Sequence, residues 1–114
     1  MNLRSLDSAE PFTTKDGSTI RELHRTSLQS LAEAALEPGQ ATQRHYHERS
    51  EEIYLVTKGS GELEVGGEIH TVRPGDAVLI PAGAWHMLAN DGTSELLILC
   101  MCSPPYSLDD TLFV

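Results

Sequence analysis

Glycine and proline interrupt this chain at short intervals, and no other feature constrains the fold as strongly. The interruptions are "DGS" (16–18), "EPG" (37–39), "KGSG" (58–61), "GG" (66–67), "RPG" (73–75), "PAG" (81–83) and "NDG" (90–92). The segments between them suit strands of about four to eight residues and leave little room for long helices. A chain of 114 residues suits one domain with one core. The sequence therefore predicts a single all-β domain over residues 1–114, either a sandwich or a barrel.

Individual segments carry strand patterns, with one exception. Residues 62–65, "ELEV", alternate polar and apolar side chains, and "GG" followed by "EIHTV" completes a hairpin signal. Residues 96–102, "LLILCMC", are apolar on both faces, which is typical of a buried strand. The exception is "SLQSLAEAAL" at 27–36, where Leu, Ala, Gln and Glu favour a helix by local propensity. Our strand prediction for 27–36 depends on the resemblance described below.

Charge and hydropathy exclude several classes of partner. Seventeen acidic residues against eight basic ones give a net charge of −9, which repels nucleic acid and anionic membranes. No apolar run approaches the roughly 20 residues of a transmembrane helix. The first residues, "MNLRSLDSAE", lack the apolar centre of a signal peptide. We predict no nucleic-acid or membrane partner and a cytoplasmic location.

Two histidines flank a single aromatic residue in "HYHERSEEIYLVTKG" (45–59). Side chains alternate along a strand, so His45 and His47 project from one face about 7 Å apart, while Tyr46 faces the other way. Two imidazoles on one face can converge on a single metal ion. This spacing indicates a candidate metal site.

A carboxylate near these histidines is the next candidate ligand. Glu52 lies five residues beyond His47, an odd offset that would put it on the opposite face of one continuous strand. If "ERS" forms a turn and a new strand begins near Glu51, then Glu52 and Tyr54 share a face and Glu52 joins the histidines. Turn geometry alone leaves Glu51 and Glu48 as alternatives.

A further imidazole should come from elsewhere in the chain. His86 is the best candidate, because it follows a Pro-Gly turn and begins an alternating segment. His24 and His70 lie in strand-like runs without partners. We expect both to be surface residues.

The two histidine-bearing segments resemble the two motifs of the cupin superfamily. The first motif occupies 39–59 and has Gly39, His45, His47, Glu52 and Gly59 at the family's spacings. The second occupies 75–90 and has Gly75, Pro81, Gly83, His86 and Asn90. At ordinary residue frequencies, a chance match at ten ordered positions is negligible. The chain is similar to small, single-domain bacterial-type cupins.

This resemblance implies a fold and a ligand set. The fold is an antiparallel jelly-roll barrel, also called a double-stranded β-helix, which requires strands on both sides of the motifs and therefore one at 27–36. The implied metal ligands are His45, His47, Glu52 and His86, and the spacing to Gly59 selects Glu52 over Glu51. Three imidazoles and a carboxylate suit one divalent transition metal per chain, such as Fe, Mn, Ni, Co or Zn.

Cupins carry many functions, so the fold alone does not decide the reaction. We predict a small-molecule metalloenzyme of the dioxygenase or lyase/isomerase type, and the alternative is a non-catalytic module that binds or senses a small ligand. By alternation Tyr54 faces the metal side, and some cupin lyases have a tyrosine there as general base. A phenol with a pKa of about 10 would need a nearby cation to lower it. The alternative for Tyr54 is a packing role.

Alternation also predicts which residues form the ligand pocket. The set is Gln43, Tyr54, Val56, Leu88 and the face that carries Cys100 and Cys102. These residues are mostly apolar with a few hydrogen-bonding groups, as is typical of a site for a small organic ligand.

The basic residues and the tail complete the predictions. Arg44, Lys58 and Arg73 fall outside the pocket set, so no cationic clamp for a phosphate is expected. The tail ends in the apolar residues 112–114, which an acidic monomer has little reason to expose. We predict a homodimer, and the alternative is that the tail folds back on its own barrel.

Overall fold

Short strands, separated by turns at the Gly and Pro positions, make up nearly the whole fold. The structure is a computed structural model and describes residues 1–113. The strands are β1 (Phe12–Thr13), β2 (Thr19–Arg25), β3 (Ser30–Leu36), β4 (His45–Tyr46), β5 (Glu51–Lys58), β6 (Gly61–Val65), β7 (Glu68–Val72), β8 (Ala77–Ile80), β9 (His86–Ala89), β10 (Leu96–Ser103) and β11 (Leu112–Phe113). Two 3₁₀ helices span Leu6–Ser8 and Leu108–Asp110. None of the described residues form a helix long and apolar enough to cross a membrane.

The strands form two antiparallel sheets that enclose one apolar core. One sheet has the order β1-β2-β3-β10-β5-β8 and the other β11-β4-β9-β6-β7. The core side chains are Ala34, Leu36, Tyr54, Val56, Leu63, Val72, Ile80, Leu88, Leu96 and Ile98. This is the predicted all-β jelly-roll barrel.

The segment with helical propensity is a strand, as the resemblance predicted. β3 pairs with β10 along its whole length, from Leu36 opposite Leu96 to Ser30 opposite Cys102. Its other edge pairs with β2. Pairing on both edges satisfies the backbone of β3 within the sheet, and this tertiary context outweighs the local preference of 30–36 for a helix.

The predicted hairpin is also confirmed. β6 and β7 pair from Gly61 opposite Val72 to Val65 opposite Glu68. Gly66 and Gly67 connect them with φ values of 56° and 92°, and a two-residue hairpin turn with both φ values positive favours glycine.

The tail after β10 folds back on its own barrel. β11 pairs with β4, so that Leu112 lies opposite Tyr46 and Phe113 opposite His45. Of the apolar tail residues, Leu112 is partly buried and Phe113 is 38% exposed, while Val114 lies outside the described residues. The tail therefore packs as the alternative prediction stated, and it brings Asp110 beside the predicted metal ligands.

Candidate metal centre

The four predicted ligands lie together inside the barrel. His45 on β4 pairs directly opposite His86 on β9, and His47 follows β4. A bend at 48–50 breaks the alternation, so Glu52 on the new strand β5 points inward. The ligand atoms of the four side chains all lie within 4.8 Å of one another, and all four residues are buried.

Each histidine presents the same ring nitrogen to the centre. In His45, His47 and His86 the Nδ1 atom is paired with a main-chain carbonyl. The acceptors are the oxygens of Gln43, Asp110 and Ala84, at 2.7, 2.9 and 3.0 Å. A carbonyl can only accept, so Nδ1 carries the proton and the neutral ring keeps a lone pair on Nε2. Such outer contacts are typical of metal-binding histidines.

Glu52 completes the set of candidate metal ligands. Its Oε1 atom lies 3.0 Å from Nε2 of His47 and 3.2 Å from Nε2 of His86, while Oε2 accepts a hydrogen bond from Sγ of Cys102 at 3.2 Å. Within residues 1–113, Oε1 of Glu52 and Nε2 of His86 are buried without a hydrogen-bond partner. Two ligand atoms that each lie about 2.1 Å from one ion, with an angle of about 90° at the ion, are about 3.0 Å apart. These lone pairs therefore fit a divalent metal.

The other candidate ligands lie elsewhere. Glu51 and Glu48 are exposed, whereas Glu52 is 4% exposed, in agreement with the motif spacing. His24 and His70 are exposed, as predicted. The structure therefore leaves only one carboxylate of the three facing the histidines.

Burial and charge set the protonation of the cluster. Burial, followed by the neighbouring His86, lowers the pKa of His45. Burial alone would also lower the pKa of His47, but the neighbouring carboxylate of Glu52 stabilises the protonated ring and raises this pKa overall. Burial opposes ionisation of Glu52, yet the adjacent imidazoles of His47 and His86 hold its pKa well below the usual range. Because a metal ion binds only an imidazole whose Nε2 atom is unprotonated, the metal affinity of the cluster should fall in acid.

A cavity of about 50 Å³ is lined by three of the four side chains, those of His45, His47 and Glu52. This volume exceeds the roughly 10–15 Å³ that one water needs, so the cavity has room for several waters or a small ligand. Tyr54, Leu88, Cys100 and Cys102 line it, as predicted, whereas Val56 packs in the apolar core and does not line it. Gln43 does not line the cavity, because residues 42–44 lie outside regular strand and side chains do not alternate there. Gln43 is exposed, and Thr42 lines the cavity instead.

Tyr54 lies beside the cluster with its ring edge-on to His86. The two ring centroids are 5.8 Å apart, and Tyr54 is 7% exposed. Burial, followed by the charge of Glu52, raises the pKa of the phenol well above its usual value. The position is the predicted one, and the catalytic role stays a prediction.

Three residues near the centre were not identified from the sequence. Asp16 and Tyr106 line the cavity, and the carbonyl of Asp110 holds His47. Asp16 lies in "DGS", where only a turn was recognised. Asp110 and Tyr106 reach the centre because the tail folds back, and no local pattern predicts that contact.

The two antiparallel sheets, with three imidazoles and one carboxylate between them, define a cupin-type centre that can hold a metal. The family model described as "Cupin domain" matches residues 32–102. The chain belongs to this family.

Two relatives and one solved structure illustrate the similarity. The uncharacterized protein MJ1618 of Methanocaldococcus jannaschii is 43% identical over 110 residues, covering 92% of this chain and 88% of the relative. A 5-nitrosalicylic acid 1,2-dioxygenase of Bradyrhizobium sp is 33% identical over 63 residues, covering 55% of this chain and 30% of that enzyme. The crystal structure of TT1209 from Thermus thermophilus matches with a TM-score of 0.79 and 28% identity, covering 93% of this chain and 100% of that one.

Proposed function

We propose that this chain is a mononuclear metalloenzyme acting on a small organic molecule, of the dioxygenase or lyase/isomerase type. One observation carries the proposal: the Nε2 lone pairs of three histidines and Oε1 of Glu52 converge beside a mostly apolar cavity. His45, His47, Glu52 and His86 hold one divalent transition metal per chain. When bound, that ion supplies a Lewis acid that orients the substrate, or a centre that activates O₂.

The chain's own residues bind the substrate and exclude water. Apolar side chains such as Leu36, Leu88 and Ile98 line the cavity, and they favour a small carbonyl- or phenol-bearing molecule over a hydrated ion. In its deprotonated form, the Tyr54 oxygen accepts a proton from the substrate. Burial opposes that ionisation, whereas a cation held by the four ligands favours it.

The dioxygenase relative supports the reaction class only. This chain spans 30% of that enzyme's length, so its substrate is not carried over. A non-catalytic module that binds or senses a small ligand is the second candidate, because the same cavity serves both roles.

Metal analysis followed by an oxygen-electrode screen tests the proposal. Bound iron or manganese together with O₂ uptake on a small phenol or diketone would support the oxygenase form. Product formation without O₂ uptake would support the lyase/isomerase form. Tightly bound zinc and no turnover of any substrate in the screen would favour the binding module.

Tyr54→Phe tests the proposed base, since it keeps the ring and removes only the hydroxyl. General base catalysis contributes about 100-fold or more, so we expect turnover to fall by at least that factor. Metal content and thermal unfolding should not change, because the four ligands are intact. Near-full activity in a folded, metal-loaded variant would assign Tyr54 to packing.

We also propose that the chain pairs with a second copy through the outer face of the six-stranded sheet. Met101 lies opposite Ile53, which lies opposite Leu79, and the three side chains are 44%, 41% and 58% exposed. Two copies with a net charge of −9 each repel one another. This row of three uncharged side chains is an apolar surface through which one copy can pair with its symmetry mate.

Light scattering of Ile53→Asp tests the pairing. The wild type should have the mass of a dimer and the variant the mass of a monomer. Burying the introduced carboxylate at the two-fold contact would destabilise the dimer. Ile69→Asp is the matched control, since Ile69 is 54% exposed on β7 of the other sheet. A monomeric wild type, or a dimeric Ile53→Asp variant, would contradict the proposed interface.

A further inference from the structure

Asp16 is a carboxylate that the turn between β1 and β2 holds at the edge of the metal centre. Its Oδ1 atom accepts hydrogen bonds from the hydroxyl of Thr14 and from the Ser18 backbone N–H and hydroxyl, the last two at 3.0 and 2.7 Å. The main-chain carbonyl of Asp16 accepts from the N–H of Gln43 at 2.8 Å. One oxygen of the carboxylate is thus fixed by three donors, so the direction of the other is determined.

That other oxygen faces the centre. Oδ2 of Asp16 lies 3.5 Å from Nε2 of His45, the nitrogen that presents its lone pair to the metal position. Asp16 lies outside the group of four whose ligand atoms are all within 4.8 Å of one another. Oδ2 is therefore placed to contact a molecule bound next to His45 rather than to complete the four-residue set.

The charges along the cavity differ from those of a site for anions. Among the described residues that line it, none is a lysine or an arginine, and the acids are Asp16, Glu22 and Glu52. Glu52 belongs to the metal set, and Glu22 is paired with Arg25 at 3.4 Å. Asp16 has no Lys or Arg partner among residues 1–113. Its negative charge is therefore not neutralised by a basic side chain and interacts with a molecule bound in the cavity.

We propose that Asp16 determines the ligand class of this centre. Oδ2 accepts a hydrogen bond from a small neutral molecule that carries an O–H or N–H next to its metal-binding atom. The same charge repels anions such as carboxylates from the position beside His45. The inference rests on the proposed function, because it requires a metal held by the four ligands.

Asp16→Asn provides the test, with Co(II)-loaded protein and two probes, azide and imidazole. The amide oxygen can keep the three donors of Oδ1, while the amide nitrogen replaces the charged Oδ2. Visible absorption of the bound Co(II) reports binding without any turnover. Removing a unit charge about 4–6 Å from the probe should strengthen azide binding at least about tenfold. The affinity of neutral imidazole should change by less than about threefold.

Glu22→Gln is the matched control, since Glu22 also lines the cavity but is already paired. It should leave azide binding within about twofold of the wild type, because the side chains of Glu22 and Arg25 are 30% and 44% exposed and solvent screens their charges. An equal gain from Glu22→Gln, or unchanged azide affinity in a folded, Co(II)-loaded Asp16→Asn variant, would overturn the inference. Failure of the wild-type chain to bind Co(II) would instead overturn the metal site itself.

Discussion

Replacing His86 by alanine is expected to lower the metal affinity of this protein by at least about 100-fold. Loss of a hydrogen bond that orients a metal ligand already lowers metal affinity about 10–100-fold, and His86 is itself a proposed ligand. The substitution also leaves the charge of Glu52 buried with one fewer imidazole beside it, because Oε1 lies 3.2 Å from Nε2 of His86. Metal content after dialysis against a weak chelator, normalised to protein, measures the effect.

Matched substitutions separate the proposed ligands from their neighbours. His70→Ala should keep wild-type metal content, since that side chain is 76% exposed, and Glu51→Gln should also keep it, whereas Glu52→Gln should not. Full metal content in the folded His86→Ala variant would contradict the assignment. A loss with Glu51→Gln equal to that with Glu52→Gln would contradict the choice of carboxylate.

Asp110→Ala is expected to reduce the free energy of unfolding by about 3 kcal/mol. The buried carboxylate accepts hydrogen bonds from the backbone N–H groups of Glu48, Arg49 and Ser50 at 3.0–3.3 Å. Each hydrogen bond to a charged group contributes about 1.5–3 kcal/mol, and the three are not additive. The same bend sets the alternation that turns Glu52 inward, so the variant should also bind metal less tightly. Urea unfolding followed by circular dichroism measures the change.

The effect of Asp110 should depend on pH with a defined sign. Burial opposes its ionisation, but the N–H donors of Arg49 and Ser50 lower its pKa in the folded state below the usual 3.8. A lowered folded-state pKa gives stability that is present above the unfolded value and lost as the pH falls through the folded one. The difference between wild type and Asp110→Ala should therefore be full at neutral pH and shrink below about pH 4.

Asp109→Ala is the matched control for this prediction. Its side chain is 80% exposed and lies 3.6 Å from the guanidinium of Arg49, a surface pair of small effect. We expect a change within about 0.5 kcal/mol. Equal destabilisation by the two substitutions would contradict the role given to the Asp110 carboxylate.

The parts of this site that the sequence predicts depend on local periodicity and fixed spacing. Alternation along β5 correctly predicts that Glu52 and Tyr54 share the inner face, and motif spacing selects Glu52 over Glu51. For β3, local propensity favours a helix, and only the resemblance to the cupin superfamily predicts the strand. The single-domain boundaries of 1–114 and a cytoplasmic location stay predictions.

The parts that the sequence does not predict depend on contacts distant along the chain. The prediction for Gln43 is wrong because residues 42–44 depart from regular strand geometry, so their side chains do not alternate between the two faces. Asp110 reaches the bend at 48–50 through a tail some 60 residues further on. Asp16 approaches His45 because its turn packs against the segment before β4. Such contacts follow from the closure of the barrel and leave no local pattern.

Anomalous scattering from a crystal of the metal-loaded protein tests the central claim most directly. Data collected above and below the absorption edge of the bound metal locate the ion without any assumption about its ligands. We predict one peak per chain, about 2.1 Å from Nε2 of His45, His47 and His86 and from a carboxylate oxygen of Glu52. A full-occupancy peak elsewhere on the chain, or no peak between these four side chains in protein loaded with Fe, Mn, Ni, Co or Zn, would contradict the account.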